Sequence, residues 1–125
     1  MNLRCSIRSG VALAAAAGLL VAASQAEAHA HLVAATPAAN SGGAAPKAIT
    51  LHFSERLVPK FSGGELMNAD GSTVATTASV PANDRKAVSL SVRGQLAPGT
   101  YMVMWHVVAA DDGHRSKNSF SFTVK

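Results

Sequence analysis

Three stretches of this chain, "AITLHFSE", "AVSLSVR" and "NSFSFTVK", place an apolar side chain at every second position. Ile49, Leu51 and Phe53 fall on one side of the first and Thr50, His52 and Ser54 on the other. Val88, Leu90 and Val92 repeat the rule, as do Phe120, Phe122 and Val124. Successive strand residues point to opposite faces, so a period of two predicts a sheet that is dry on one face and wet on the other. After His31 no window carries a helical apolar stripe long enough to count. Turn chemistry separates the runs. Asp70-Gly71 between "GELMN" and "STVATTASV" is a hairpin signal, Pro98-Gly99 marks another turn, and Thr36-Pro37 with "NSGGAAPK" ends the first strand. The run "TYMVMWHVVAA" is apolar at both parities, which predicts a central strand covered on both faces, with Met102 and Met104 filling the core and His106 a hydrogen-bonded core histidine. About seven strands in roughly a hundred residues predict an all-β fold, an antiparallel seven-stranded β-sandwich with Greek-key connections.

The first residues do not belong to that domain. Arg4 and Arg8 precede an uncharged run from Val11 to Ala23, and Ala26-Glu27-Ala28 supplies a small-x-small cleavage pattern. The apolar run is shorter than the roughly 20 residues a spanning helix needs, so residues 1–28 read as a signal peptide for export to the periplasm. Cleavage after Ala28 removes Cys5, the single cysteine, and leaves one domain, 29–125, that begins with His29. That domain has nine basic and six acidic residues, a net charge of +3. The basic residues are scattered and form no stripe or nucleic-acid-binding motif, so no nucleic-acid partner is expected.

Most histidines in a chain are structural or solvent-facing, and His52, on the polar face of its strand, reads that way. His29 is different. As a new amino terminus it offers its amine and its imidazole from one residue, and an α-amino group with a reference pKa of about 7.7 to 8.0 gives up its proton readily to a metal. In "AADDGHRS", Asp112 and His114 stand two residues apart across Gly113, a spacing that turns both side chains the same way in an extended segment. Taken alone, Asp-Asp-Gly is also an ordinary turn. Glu55 continues the parity of Ile49, Leu51 and Phe53, which brings a carboxylate to the rim of the core. Its partner is either Arg56, or another cation, or a metal or its ligands.

Together, "HAHLVAATPAANSG", "ITLHFSERLV", "LAPGTYMVMWHVVAADDGH" and "SFSFTV" resemble the CopC family of periplasmic copper-resistance proteins, over nearly the whole domain and in matching order. The resemblance implies a cupredoxin-like or immunoglobulin-like sandwich, a copper-binding rather than enzymatic role, and transfer to an inner-membrane copper transporter. It implies one Cu(II) held by His29, Asp112 and His114, with Glu55 near the metal. A nitrogen-rich set with one carboxylate suits tetragonal Cu(II). Some family members carry a methionine-rich loop for Cu(I). The matching hairpin, "LMNADGST", has Met67 alone, so the Cu(I) site is expected to be absent and the chain resembles the Cu(II)-only type of the family. Asp111 beside Asp112 leaves open which carboxylate faces the metal, and Arg115 stands where the family has a proline.

Two other functions fit some of these features. A lytic-polysaccharide-monooxygenase-like enzyme also uses an N-terminal and a second histidine, but the small domain and sparse aromatics argue against a sugar-binding face, and no polysaccharide partner is expected. An immunoglobulin-like structural module would carry the histidines incidentally. Within a copper reading, His31 at the third position could also bind through the amine and deprotonated amides, which needs a flexible terminus. The chain is expected to be a monomer.

Overall fold

A computed structural model describes residues 30–125, so the signal peptide, its cleavage point and His29 lie outside the described residues. The alternating segments form strands β1 (Leu32–Thr36), β2 (Gly42–Gly43), β3 (Ala48–Phe53), β4 (Gly63–Asn68), β5 (Thr73–Val74), β6 (Thr76–Ser79), β7 (Ala87–Val92), β8 (Gly99–Val108) and β9 (Arg115–Val124). A single 3-10 turn, Pro59–Phe61, is the one helical element among the described residues. Two of the nine strands have only two residues, which leaves the seven of substance that the sequence predicts.

The strands pair into two sheets, ordered β1-β3-β7-β6 and β2-β9-β8-β4-β5. The chain passes between them after β1, β2, β3, β5 and β7, which makes the Greek-key sandwich. One pairing departs from an antiparallel fold, because β2 runs parallel to β9 through Gly42 and Gly43. The hairpin at Asp70-Gly71 forms with Leu66 opposite Val74 and Met67 opposite Thr73. Ser72 donates from both its amide and its hydroxyl to Asp70 Oδ1, which holds the Asp70 carboxyl below its ordinary value. Past Val74 the expected single strand "STVATTASV" divides. Ala75 breaks the ladder, and Thr76–Ser79 crosses to pair with β7 in the other sheet.

The period-two side chains meet between the sheets. Ile49, Leu51, Val88 and Leu90 from one sheet face Leu66, Val103, Val107 and Phe122 from the other, all essentially without solvent exposure. Phe53 packs edge-on against Trp105 with ring centroids 5.0 Å apart, tying β3 to β8 at one end of the sandwich. Tyr101 stacks on Phe122 at 5.8 Å, and its hydroxyl donates to the Ala97 carbonyl at 2.6 Å.

Strand β8 corrects one expectation. It is central in its sheet, between β9 and β4, but buried only at Tyr101, Val103, Trp105 and Val107. Met102, Met104 and His106 alternate with these and lie on the exposed outer face, so the two methionines are not core filler and His106 is not a core histidine. The reason is layer number. A two-layer sandwich covers one face of each sheet, and apolar composition at both parities does not add a third layer.

Candidate metal centre

The end of the sandwich where β8 turns into β9 is built by two segments that bond to each other. Leu57 forms an antiparallel bridge with Ala109, the Val58 amide donates to the Val108 carbonyl at 2.9 Å, and the Ala110 amide donates to the Arg56 carbonyl at 2.8 Å. Backbone bonds at this spacing hold the 55–58 segment against the root of the Ala110–His114 loop.

The loop is itself closed. Gly113 donates to the Ala109 carbonyl at 2.9 Å, and the Ala109 amide donates to the His114 carbonyl at 2.9 Å. Gly113 has a φ of 71°, in the left-handed region that a Cβ disfavours, which is why glycine separates Asp112 from His114. The His114 amide donates to Asp112 Oδ1 at 3.0 Å, so the carboxylate is folded back over the turn. A carboxylate carries two acceptor oxygens, so this bond orients Asp112 without exhausting its donor capacity. Asp111, Asp112 and His114 are all exposed, but among the described residues Asp112 is the aspartate bonded back toward His114.

The start of the domain is fastened next to this loop. The His31 amide donates to Ser54 Oγ at 3.0 Å, Ser54 Oγ lies 3.2 Å from His31 Nδ1, and the Ser54 amide donates back to the His31 carbonyl at 3.0 Å. Ala30 is buried, 2% exposed, and packs into the core. Ser54 is the residue that reading the sequence alone missed. Its signal was there, since it directly follows β3 and so lies opposite the residue that precedes β1.

Glu55 sits on the segment between these two fastenings and is half-buried. It forms no ion pair with Arg56 or any other described residue. His52 lies elsewhere, with Nδ1 3.9 Å from Asp84 Oδ2 and both side chains about half exposed. Asp112, His114 and Glu55 thus come to one end of the fold. Among the described residues no three His, Cys, Asp or Glu side chains cluster closely enough to hold a metal by themselves.

A CopC domain model matches residues 32–125. The chain belongs to the CopC family. Copper resistance protein C of Pseudomonas syringae pv. tomato is 43% identical over 116 residues, covering 88% of this chain and 90% of that protein. Protein YobA of Escherichia coli K12 is also 43% identical, over 78% of this chain and 80% of its own length. Among solved structures, CopC from Methylosinus trichosporium OB3b superimposes with a TM-score of 0.72 at 31% identity, covering 78% of this chain and 94% of that one. PcoC, a methionine-rich copper resistance protein from Escherichia coli, gives 0.69 at 38% identity over 78% of this chain and 100% of its own. Copper resistance protein C and PcoC are named for copper resistance and not for a reaction, and the CopC family is one of copper-resistance proteins rather than enzymes.

Proposed function

We propose that the mature protein is an exported periplasmic carrier that binds one Cu(II) as its cargo and passes it to an inner-membrane copper transporter. The ligands are His29, through its free amine and imidazole, with Asp112 and His114, and Glu55 beside them. The observation that carries the reading is the closed Asp112–Gly113–His114 turn bonded to the segment that bears Glu55, next to the His31–Ser54 clasp. Consecutive Cα atoms are about 3.8 Å apart, so a residue two positions before His31 stays within a short reach of that segment. The imidazole of His31 is already engaged with Ser54, which supports a docked terminus over a free one bound through the third position.

The chemistry of the set agrees with the cargo. Neutral imidazole and amine nitrogens with one carboxylate favour Cu(II), and copper stands above zinc in the general affinity order. Cu(II) competition titration of the processed protein should give one ion per chain. His114→Ala should lose more than the roughly 10- to 100-fold in affinity that follows from changing a residue outside the coordination sphere. Unchanged affinity in His114→Ala would remove this site.

A further inference from the structure

Strand β9 is paired on both sides only at its end. Its neighbour β8 runs along its full length, but on the other side β2 reaches only Thr123 and Val124. The bonds that are made fix which way the backbone of β9 points. The Thr123 amide donates to the Ser41 carbonyl, and the Ser121 carbonyl accepts from the Asn40 amide, both away from β8. The Ala109 amide donates to the His114 carbonyl across the β8 side, so even-numbered residues bond to β8 and odd-numbered ones turn their N–H and C=O outward. Arg115, Lys117 and Ser119 therefore present backbone groups to an open edge. Asn118 Oδ1 accepts from the Ser119 amide at 2.8 Å, while the Arg115 and Lys117 amides meet no acceptor among the described residues.

The two faces beside this edge differ. On the outer face Lys60, His106, Arg115 and Lys117 line an open groove of about 600 Å³, with the exposed Phe61 among its walls. Among the described residues no carboxylate lies within ion-pair distance of Lys60, Arg115 or Lys117, although Glu65 shares a neighbouring depression with Lys117. On the inner face a second groove, of about 410 Å³, opens between β9 and β1 over Leu32, Trp105 and Phe120. We propose that this edge takes an extended segment of a partner protein as an added strand, one in which acidic residues alternate with apolar ones. Main-chain bonds to an exposed sheet edge give such a segment its affinity, and its alternate side chains give it selectivity. At about 3.3 Å per residue, Arg115 and Lys117 stand about 6.6 Å apart, the spacing of alternate carboxylates in the incoming strand. Its intervening apolar side chains fall on the opposite face, over Leu32 and Phe120. A second copy of β9 is a poor occupant, because pairing two such edges sets cations against cations. A bilayer surface offers no strand to the outward backbone groups and does not enter a concave groove. The edge uses none of the proposed Cu(II) ligands and is charged whether or not copper is bound.

The test titrates the processed protein with a capped peptide in which Glu alternates with Val, followed by amide NMR and hydrogen exchange. Binding should slow exchange at the outward amides of Arg115 and Lys117 and should weaken as salt is raised. Arg115→Glu combined with Lys117→Glu should weaken binding by about tenfold or more, since like charges then face each other across the edge. Both positions are exposed, so the double variant should unfold at the parent's temperature. The same peptide with Lys in place of Glu should bind the double variant and not the parent. Failure of the parent to bind the Glu peptide, or undiminished affinity in the double variant, would overturn the proposal. Peptide binding without added protection at Arg115 and Lys117 would rule out strand addition. Shifts at these residues caused by anionic phosphatidylglycerol vesicles and not by the peptide would assign the basic groove to a membrane and overturn it as well.

Discussion

Glu55 shows how much one residue's parity can say. Counting from Ile49 by twos predicts a carboxylate at the rim of the core, and the residue is indeed half-buried. The strand, however, ends at Phe53, and the chain bends through Ser54 and Glu55, so side-chain direction past that point is set by the bend and not by alternation. Its neighbours then decide its use: Arg56 gives its carbonyl to Ala110, and among the described residues Glu55 has no ion-pair partner. If Glu55 orients the copper site without ligating, Glu55→Gln should weaken Cu(II) binding by about 10- to 100-fold and no more, as outer-shell changes do. Titrating that variant beside His114→Ala checks the order; equal losses would make Glu55 a direct ligand, and no loss would make it structural.

Strand β8 teaches a different lesson. Its extent and central position were legible, because eleven residues without a breaker between Pro98-Gly99 and Asp111-Asp112 have few alternatives to a long strand. Its burial was not, because methionine and histidine serve on either face and only the second sheet determines which side is covered. The split of β5 from β6 was likewise hidden, since nothing at Ala75 marks the crossing between sheets. Close approach within the sheet leaves a sharper mark. A Cβ on Gly64 would stand 2.9 Å from the Met104 carbonyl oxygen, a backbone atom that cannot swing away, so glycine lets β4 and β8 pair there. Gly64→Ala should destabilise the fold by about 1–3 kcal/mol, the range of overpacked core substitutions. Denaturant unfolding of both proteins measures it, and a midpoint equal to the parent's would show that the strands relax around the added methyl.

At the scale of the whole molecule, the sandwich follows from patterning alone. The apolar parities of β3, β7 and β9 supply inner-face residues of both sheets, with Val92 and Phe120 only partly buried, and the observed core adds Leu66 of β4, Tyr101, Val103, Trp105 and Val107 of β8, and loop residues such as Leu57 and Leu96. The candidate site is less legible, because among the described residues its surroundings come from three separate segments, 30–31, 54–55 and 112–114, that only the folded chain brings to one end. Sequence spacing related Asp112 to His114 but not either of them to Ser54. On the proposed site, folding and copper binding draw on different parts of the chain: the core on strand faces, the metal on loop groups and the terminus. The measurement that tests this account most directly compares the processed protein with a form carrying one extra residue before His29, by Cu(II) competition titration and by thermal unfolding without metal. An extra residue converts the amine to an amide, a poor donor unless deprotonated, while leaving every strand face intact. The account predicts equal unfolding temperatures and much weaker Cu(II) binding in the extended form; equal affinity in the two forms would contradict it.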